Sequence, residues 1–206
     1  MTFAYEPKKN RANMRYTQMY GMVNHGIQSL IEENFGTDDW VQICEKAGIE
    51  TDHFEGLLSY PDEITYTLVD IISKRYEMGT DEVLRVFGEY WIQFSSDSSI
   101  ARLLKISKKN SLQENLEALN DMHDRIKLSL PHLRPPYFDY EKGEDGVDKL
   151  HYGSEREGME PMVIGLIYGL AKETGERVEV SIDPRPAYDD IRTTFSLRYV
   201  SGIWQK

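Results

Sequence analysis

The sequence predicts an α+β fold in which a helical N-terminal half packs against a C-terminal antiparallel sheet with helices of its own. Three observations predict it. Apolar residues recur at helical spacing from Met19 to about Ile106, the prolines Pro131, Pro135 and Pro136 then forbid further helix, and from Tyr137 onward the apolar period falls to two.

In chain order, Val23, Ile27, Leu30 and Ile31 share one face of a first helix that Gly36 can stop. Asp38 or Asp39 can cap a second helix ending near Gly48, Pro61 can open a third running toward Gly79, and Thr80 can cap a fourth carrying Val83, Val86, Phe87 and Trp91. Ser111 and Glu114 form a capping box at the head of one more helix, reaching about Leu130. Alternation then marks strands at Tyr137 to Tyr140, Val147 to Arg156, Arg177 to Ile182 and Thr194 to Val200, with a turn over Glu141 to Gly146. Met159 to Lys172 is apolar and helical, closed by Gly175. One helix among several strands favours antiparallel pairing over βαβ crossovers. Residues 1–18 are polar and weakly patterned and read as a flexible N-terminal extension; 19–206 read as one domain.

The formal charge of −11, from 24 basic and 35 acidic residues, repels a polyanion, so nucleic acid is not an expected partner. The single cysteine, Cys44, closes no intrachain disulfide and builds no multi-thiolate metal site. No stretch approaches the roughly 18 apolar residues of a membrane span, and the N-terminus lacks the apolar run of a secretory leader. A reducing, cytoplasmic setting is expected, with Cys44 a packed small hydrophobe.

Two features carry chemistry. Leu116, Leu119, Ile126 and Leu130 place His123 on the buried stripe of its helix. Such an imidazole is either a hydrogen-bonded core residue or a ligand, and alone it does not decide between them. In Tyr152-Gly153-Ser154-Glu155-Arg156 an extended backbone puts two hydroxyls and a guanidinium on one face, a donor set suited to a carboxylate or phosphate; the same alternation also describes a strand with one wet face. Together they match the needs of a haem, which requires an axial base for its iron and donors for two propionates.

The stretch HDRIKLSLPHLRPP, then YGSER, then GMEPMVIGLIYGL, resembles the H-NOX family of haem nitric oxide/oxygen binding domains, related to the haem domain of soluble guanylate cyclase. The opening MYGMVNHGIQSLIEENFG and the FGEYW segment resemble that family's first helix and a segment lining its haem pocket, so the likeness runs from Met19 to near the C-terminus. The resemblance implies the H-NOX fold, with haem b (iron protoporphyrin IX) buried between the two halves. It implies His123 as the proximal iron ligand, Tyr152, Ser154 and Arg156 on the propionates, and Pro136 distorting the porphyrin from the proximal side. The remaining histidines, His25, His53, His132 and His151, match no family role.

On the distal side the matching positions are Val23, Ile27, Trp91 and Met162, nearly all apolar. Family members that keep oxygen have a tyrosine where this chain has Met162, so the resemblance implies a sensor that binds nitric oxide, and carbon monoxide less tightly, while excluding oxygen. Tyr168, two turns further along, and the Trp91 indole N–H are the donors that leave an oxygen-binding sensor open. Nitric oxide would weaken the bond from iron to His123 and free its helix. The expected effector is a separate histidine kinase, diguanylate cyclase/phosphodiesterase or guanylate cyclase, or else the chain is part of a guanylate cyclase or chemotaxis receptor. The chain is not expected to be an enzyme: a haem enzyme detoxifying nitric oxide or peroxide would want a distal acid–base group, and the distal positions supply no His, Arg or carboxylate. A haem-free interaction module is the other rival.

Overall fold

The computed structural model describes residues 18–97, 109–130, 133–184 and 192–200. Helix α1 (Gly21–Phe35) opens the folded unit and stops at Gly36, whose N–H reaches the Glu32 carbonyl. Gly36 also caps α2 (Thr37–Ala47), because its carbonyl accepts from Asp39 and Trp40. Asp38 and Asp39, expected as caps, therefore lie inside the first turn, where their charge suits the positive helix end. Gly48, in the left-handed conformation at φ 66°, ends α2 as expected.

Two strands of three residues, β1 (Gln18–Tyr20) and β2 (Ser59–Pro61), pair antiparallel ahead of α1 and α3. Three residues carry no readable period, and neither strand is evident in the sequence. Gln18, placed by its sequence in the N-terminal extension, belongs to β1; residues 1–17 lie outside the described residues. Pro61 ends β2 and caps α3 (Asp62–Tyr76), which stops short of Gly79 because Glu77 takes the left-handed cap position at φ 55°. Helix α4 (Thr80–Asp97) starts from the Gly79 carbonyl, one residue before the expected Thr80 cap. Its length of 18 residues exceeds the short helices expected here, and Val86, expected on its apolar face, is exposed. Trp40, Phe54, Leu68 and Phe87 fill the core of this half, each contributing about 1.5–3 kcal/mol by burial. The Trp40 indole stays satisfied by donating to the Asp52 carbonyl at 2.7 Å.

The capping box forms: the Ser111 hydroxyl accepts from the Glu114 N–H at 3.2 Å, while the Glu114 carboxylate accepts from the Asn110 N–H at 3.1 Å. The expected single helix is interrupted at Ala118 (ψ −5°), giving α5 (Leu112–Glu117) and α6 (Leu119–Ser129). Strands β3 (Tyr137–Glu141), β4 (Val147–Gly153), β5 (Val178–Ile182) and β6 (Arg192–Tyr199) form a wholly antiparallel sheet in the order β3-β4-β6-β5. Phe138, Leu150, Tyr152, Phe195 and Leu197 line its buried face, while Lys149, His151 and Thr194 line the other. Along β5 the burial fades from Val178 to an exposed Ile182, so the expected half-buried face holds for only part of that strand.

Helix α7 (Glu160–Thr174), closed by Gly175 in the left-handed conformation, joins the halves by packing against α4. The approach is too close for side chains. A Cβ on Gly165 would sit 2.1 Å from the Arg85 carbonyl oxygen, and one on Gly88 would sit 2.2 Å from that of Met162. No helix among the described residues is long and apolar enough to cross a membrane.

Candidate functional site

Helix α6 carries His123 against β3. The ring stacks on Phe138 at a centroid separation of 6.0 Å, and Phe138 in turn lies 5.5 Å from Tyr152 on β4. Burial depresses the imidazole to about pKa 4, and Lys127 adds to the effect; the Pro136 carbonyl beside the ring and Asp124 oppose it more weakly. The ring is therefore neutral at physiological pH. Its Nδ1 is buried with no hydrogen-bond partner among the described residues, while the Pro136 carbonyl is the backbone group that bonds the ring. A neutral imidazole with one buried nitrogen left over is a base held out of water, as an iron ligand has to be.

The Tyr-Ser-Arg trio is brought together by a different device from the one its sequence suggests. Strand β4 was expected to reach Arg156, but it ends at Gly153; Ser154 to Gly158 bend into a turn closed by Gly158 at φ 72°. The Ser154 hydroxyl accepts from the Arg156 N–H at 3.0 Å, which turns the chain two residues on and is what ends the alternation. Tyr152 is buried, and burial raises its phenol above the usual range against the opposing pull of the Ser154 hydrogen bond and the Arg156 charge.

Arg156 is held from three sides. Its Nε donates to Asp62 on α3 at 2.9 Å, its Nη1 to the Arg134 carbonyl at 2.8 Å and its Nη2 to the Gln18 carbonyl at 2.9 Å. The pair with Asp62 is nearly dry, the side chains being 8% and 5% exposed. A guanidinium has five N–H donors, so one remains on each Nη for a bound anion. The other oxygen of Asp62, Oδ1, is buried without a partner among the described residues. Asp62 is a site residue that sequence reasoning missed, because 94 positions separate it from Arg156 and no local pattern connects them.

The expected distal residues occupy α1, α4 and α7. Ile27 is buried; Val23, Trp91 and Met162 are half-buried. Gly26, next to Ile27, admits α4 so closely that a Cβ there would lie 3.2 Å from both Phe87 and Trp91. Trp91 packs between the rings of Phe87 (5.8 Å) and Phe94 (5.7 Å). Tyr168 is half-buried. The same region holds a polar cluster that the apolar reading overlooked: fully buried Asn24 accepts from Thr65 at 2.7 Å, and its Nδ2, like Gln28 Oε1, has no partner among the described residues.

Of the other histidines, His25 meets Phe94, the neighbour of Trp91, edge to face at 5.5 Å. His25 and His53 meet edge to face at 6.0 Å, His151 bridges Thr194 and Glu141 on the sheet's outer face, and His132 lies outside the described residues. Cys44 is buried, and burial pushes its thiol up to about 12. Among the described residues no cluster of three or more His, Cys, Asp or Glu side chains could hold a metal ion. A haem could instead be held by one imidazole plus the Tyr152, Ser154 and Arg156 groups; the unpartnered His123 Nδ1 and the two N–H groups of Arg156 left over from its three hydrogen bonds fit such a group.

A family model described as Haem-NO-binding matches residues 20–182. The chain is 30% identical over 158 residues to soluble guanylate cyclase gcy-32 of Caenorhabditis elegans, a match covering 75% of this chain and 23% of that protein. It is 37% identical over 93 residues to the guanylate cyclase soluble subunit beta-2 of Rattus norvegicus, covering 45% of this chain and 14% of the subunit. This chain thus spans under a quarter of the length of the curated relatives it matches. Among solved structures, an H-NOX protein from S. oneidensis in the Fe(II)NO ligation state superposes with a TM-score of 0.78 over 89% of this chain and 100% of that one, at 16% identity. An unliganded Fe(II) H-NOX protein from K. algicida gives 0.73 over 91% and 100%, at 18% identity.

Proposed function

The chain belongs to the haem-NO-binding, or H-NOX, family of haem-based gas sensors related to soluble guanylate cyclase, and from that premise we propose that it binds haem b and senses nitric oxide, taking carbon monoxide less tightly and excluding oxygen. The observation that carries the proposal is His123, a half-buried, neutral imidazole whose Nδ1 is buried and unpartnered among the described residues, one ring away from Tyr152. His123 would hold the iron. Tyr152, Ser154 and Arg156 would hold the propionates, and half-buried Pro136, next to β3, would press on the macrocycle. Bound haem would supply a ferrous centre whose open face takes a diatomic gas.

The chain's own residues account for the rest. Asp62 fixes the Arg156 guanidinium so that little side-chain freedom is lost when an anion arrives. Val23, Ile27 and Met162 offer no hydrogen-bond donor to a distal ligand, which disfavours oxygen more than nitric oxide. Trp91 is the one donor of the distal set, and its packing between Phe87 and Phe94 leaves the ring little freedom to turn. Release of His123 is the event that would reach an effector, since it frees the helix that carries it. The effector is a histidine kinase, a diguanylate cyclase/phosphodiesterase or a guanylate cyclase.

The test is an absorption spectrum of the dithionite-reduced protein under anaerobic conditions, repeated with nitric oxide and again in air. A five-coordinate ferrous Soret band that shifts with nitric oxide and forms no stable oxygen complex is expected. A stable oxygen complex would overturn the exclusion and give Trp91 or Tyr168 a role, while the absence of any Soret band after haem supplementation would overturn haem binding. His123→Gly is expected to retain haem only weakly, with recovery by added imidazole. Unchanged retention and an unchanged ferrous spectrum would remove His123 from the iron.

A further inference from the structure

One turn ahead of His123, the Asn120 side chain does something unusual for a surface helix. Its Oδ1 accepts from the Phe138 N–H at 3.0 Å and its Nδ2 donates to the Phe138 carbonyl. Strand β3 is the outermost strand of the sheet, so Phe138 turns both backbone groups toward an edge that no further strand among the described residues occupies. A carboxamide carries one acceptor and one donor at the spacing of a peptide group, and here it completes the edge as a neighbouring strand would. The same Phe138 stacks on the His123 ring through its side chain. One residue of β3 therefore fixes both the helix backbone, through Asn120, and the imidazole, through ring contact.

Among the described residues the helix is otherwise held by half-buried Leu119, packed against the core, and by Ile126, its one buried apolar side chain, while Asp121, Asp124, Arg125, Lys127 and Leu128 are exposed. The first turn carries the side-chain hydrogen bonds to the sheet.

We propose that Asn120 is a positioning residue for His123: its carboxamide locks the first turn of α6 to the edge of β3, sets how firmly the imidazole is presented, and makes that turn the pivot when the imidazole is released. The proposal rests on the reading of His123 as the iron ligand and goes beyond it by naming what governs that ligand. A lock at the first turn means that displacement of α6 grows toward Leu128 rather than shifting the whole helix. It also means that loosening the lock lowers the cost of letting the imidazole go.

The test compares the full chain with Asn120→Ala and Asn120→Asp. The aspartate keeps the shape and the acceptor for the Phe138 N–H but loses the donor, so it remains informative if the alanine variant folds poorly. In the reduced protein, both variants are expected to show a lower iron–histidine stretching frequency and a larger five-coordinate fraction with nitric oxide, Asn120→Ala more than Asn120→Asp. In the chain as purified, the Phe138 amide is expected to exchange roughly tenfold faster in Asn120→Ala, about one lost hydrogen bond. The His123 ring protons are expected to move toward ordinary shifts as the Phe138 ring contact loosens. Faster exchange at Phe138 with unchanged stretching frequency, nitric oxide coordination and His123 shifts would overturn the proposal, leaving a plain structural contact. A parent chain that takes up no haem would instead overturn the ligand reading, and the His123 proton shifts would still decide whether Asn120 positions the ring.

Discussion

The joint between the two halves and the seat of α6 solve the same problem, fixing helices around one site, by opposite means. At the joint, α4 and α7 touch backbone to backbone at Gly88 and Gly165, and Arg156 reaches Asp62, Gln18 and Arg134 at once. Packing of that kind has no slack, because an interior at crystal-like density cannot yield by fractions of an ångström without losing contacts. Among the described residues, helix α6 has one carboxamide lock, one ring contact, half-buried Leu119 and one buried isoleucine. The α4–α7 joint is built to stay where it is; with His123 on the iron, as proposed, α6 would be the side that lets go. A sensor needs that asymmetry, since a ligand that moved every wall of its site equally would leave no part of the fold as a reference for the others.

The largest test of this contrast is Arg156→Ala. It strands the nearly dry Asp62 carboxylate without its counter-charge, and a loss of about 3–5 kcal/mol in urea unfolding is expected. Adding Asp62→Asn is expected to recover part of that loss, because the stranded charge rather than the lost contact carries most of the cost. A single-variant loss below about 1 kcal/mol would mean that Arg156 does not brace the joint. Next is Gly165→Ala, whose methyl would meet the Arg85 carbonyl carbon at 2.9 Å and the Glu89 nitrogen at 3.0 Å as well as the carbonyl oxygen. All three are backbone atoms, so the helices must part, at a cost of about 1–3 kcal/mol. An unchanged denaturation midpoint would show slack at the joint and erase the contrast with α6.

How much of this was legible in the sequence depended on whether a signal was local. Helices α1, α2 and α7 were readable because each carries an apolar face and ends on a glycine, at Gly36, Gly48 and Gly175. The Ser111–Glu114 cap spans four residues and was readable for the same reason. His123 and the YGSER run could be singled out from spacing and donor chemistry, and both fall within the residues the family model matches. The end of β4 at Gly153 was not readable, because a Ser154 hydroxyl that turns the chain looks the same as one that continues an alternating strand. Nor were the partners across the fold: Asp62 for Arg156, Thr65 for Asn24 and Phe138 for Asn120 lie 94, 41 and 18 positions away. The glycines of the α4–α7 joint carried a signal that went unused, since Gly165 and Gly169 stand four apart on one helix face.

Acid provides a finer probe of the rigid side. The Asp39 carboxyl is held below its usual value of 3.8 by hydrogen bonds from Arg75 and Tyr76, tying α2 to the end of α3. The folded chain therefore releases this proton more readily than the unfolded one. The stabilisation is complete above about pH 4 and is lost as pH falls through the depressed folded value. With the paired side chains 18% and 20% exposed, the effect is modest. Asp39→Asn is expected to flatten part of the acid limb in a thermal-midpoint profile taken below about pH 4, leaving the proximal Phe138 amide exchange unchanged. An identical acid limb in the variant would remove this tie from the rigid side.

The smallest effect is expected at the far end of α6. Leu128 is 84% exposed, on a face shared with charged Asp124, Arg125 and Lys127. If α6 is held only at its first turn, exchanging this leucine for glutamate removes no packing, and stability should stay within about 0.5 kcal/mol. The iron–histidine stretching frequency should also stay put, because Leu128 lies beyond the pivot that Asn120 sets. Asn120→Ala is expected to shift that frequency, so the two variants bracket α6 from its fixed end to its free one. A destabilisation above about 1 kcal/mol in Leu128→Glu would mean that the last turn is packed as tightly as the joint, and the molecule would then have no proximal side free to move.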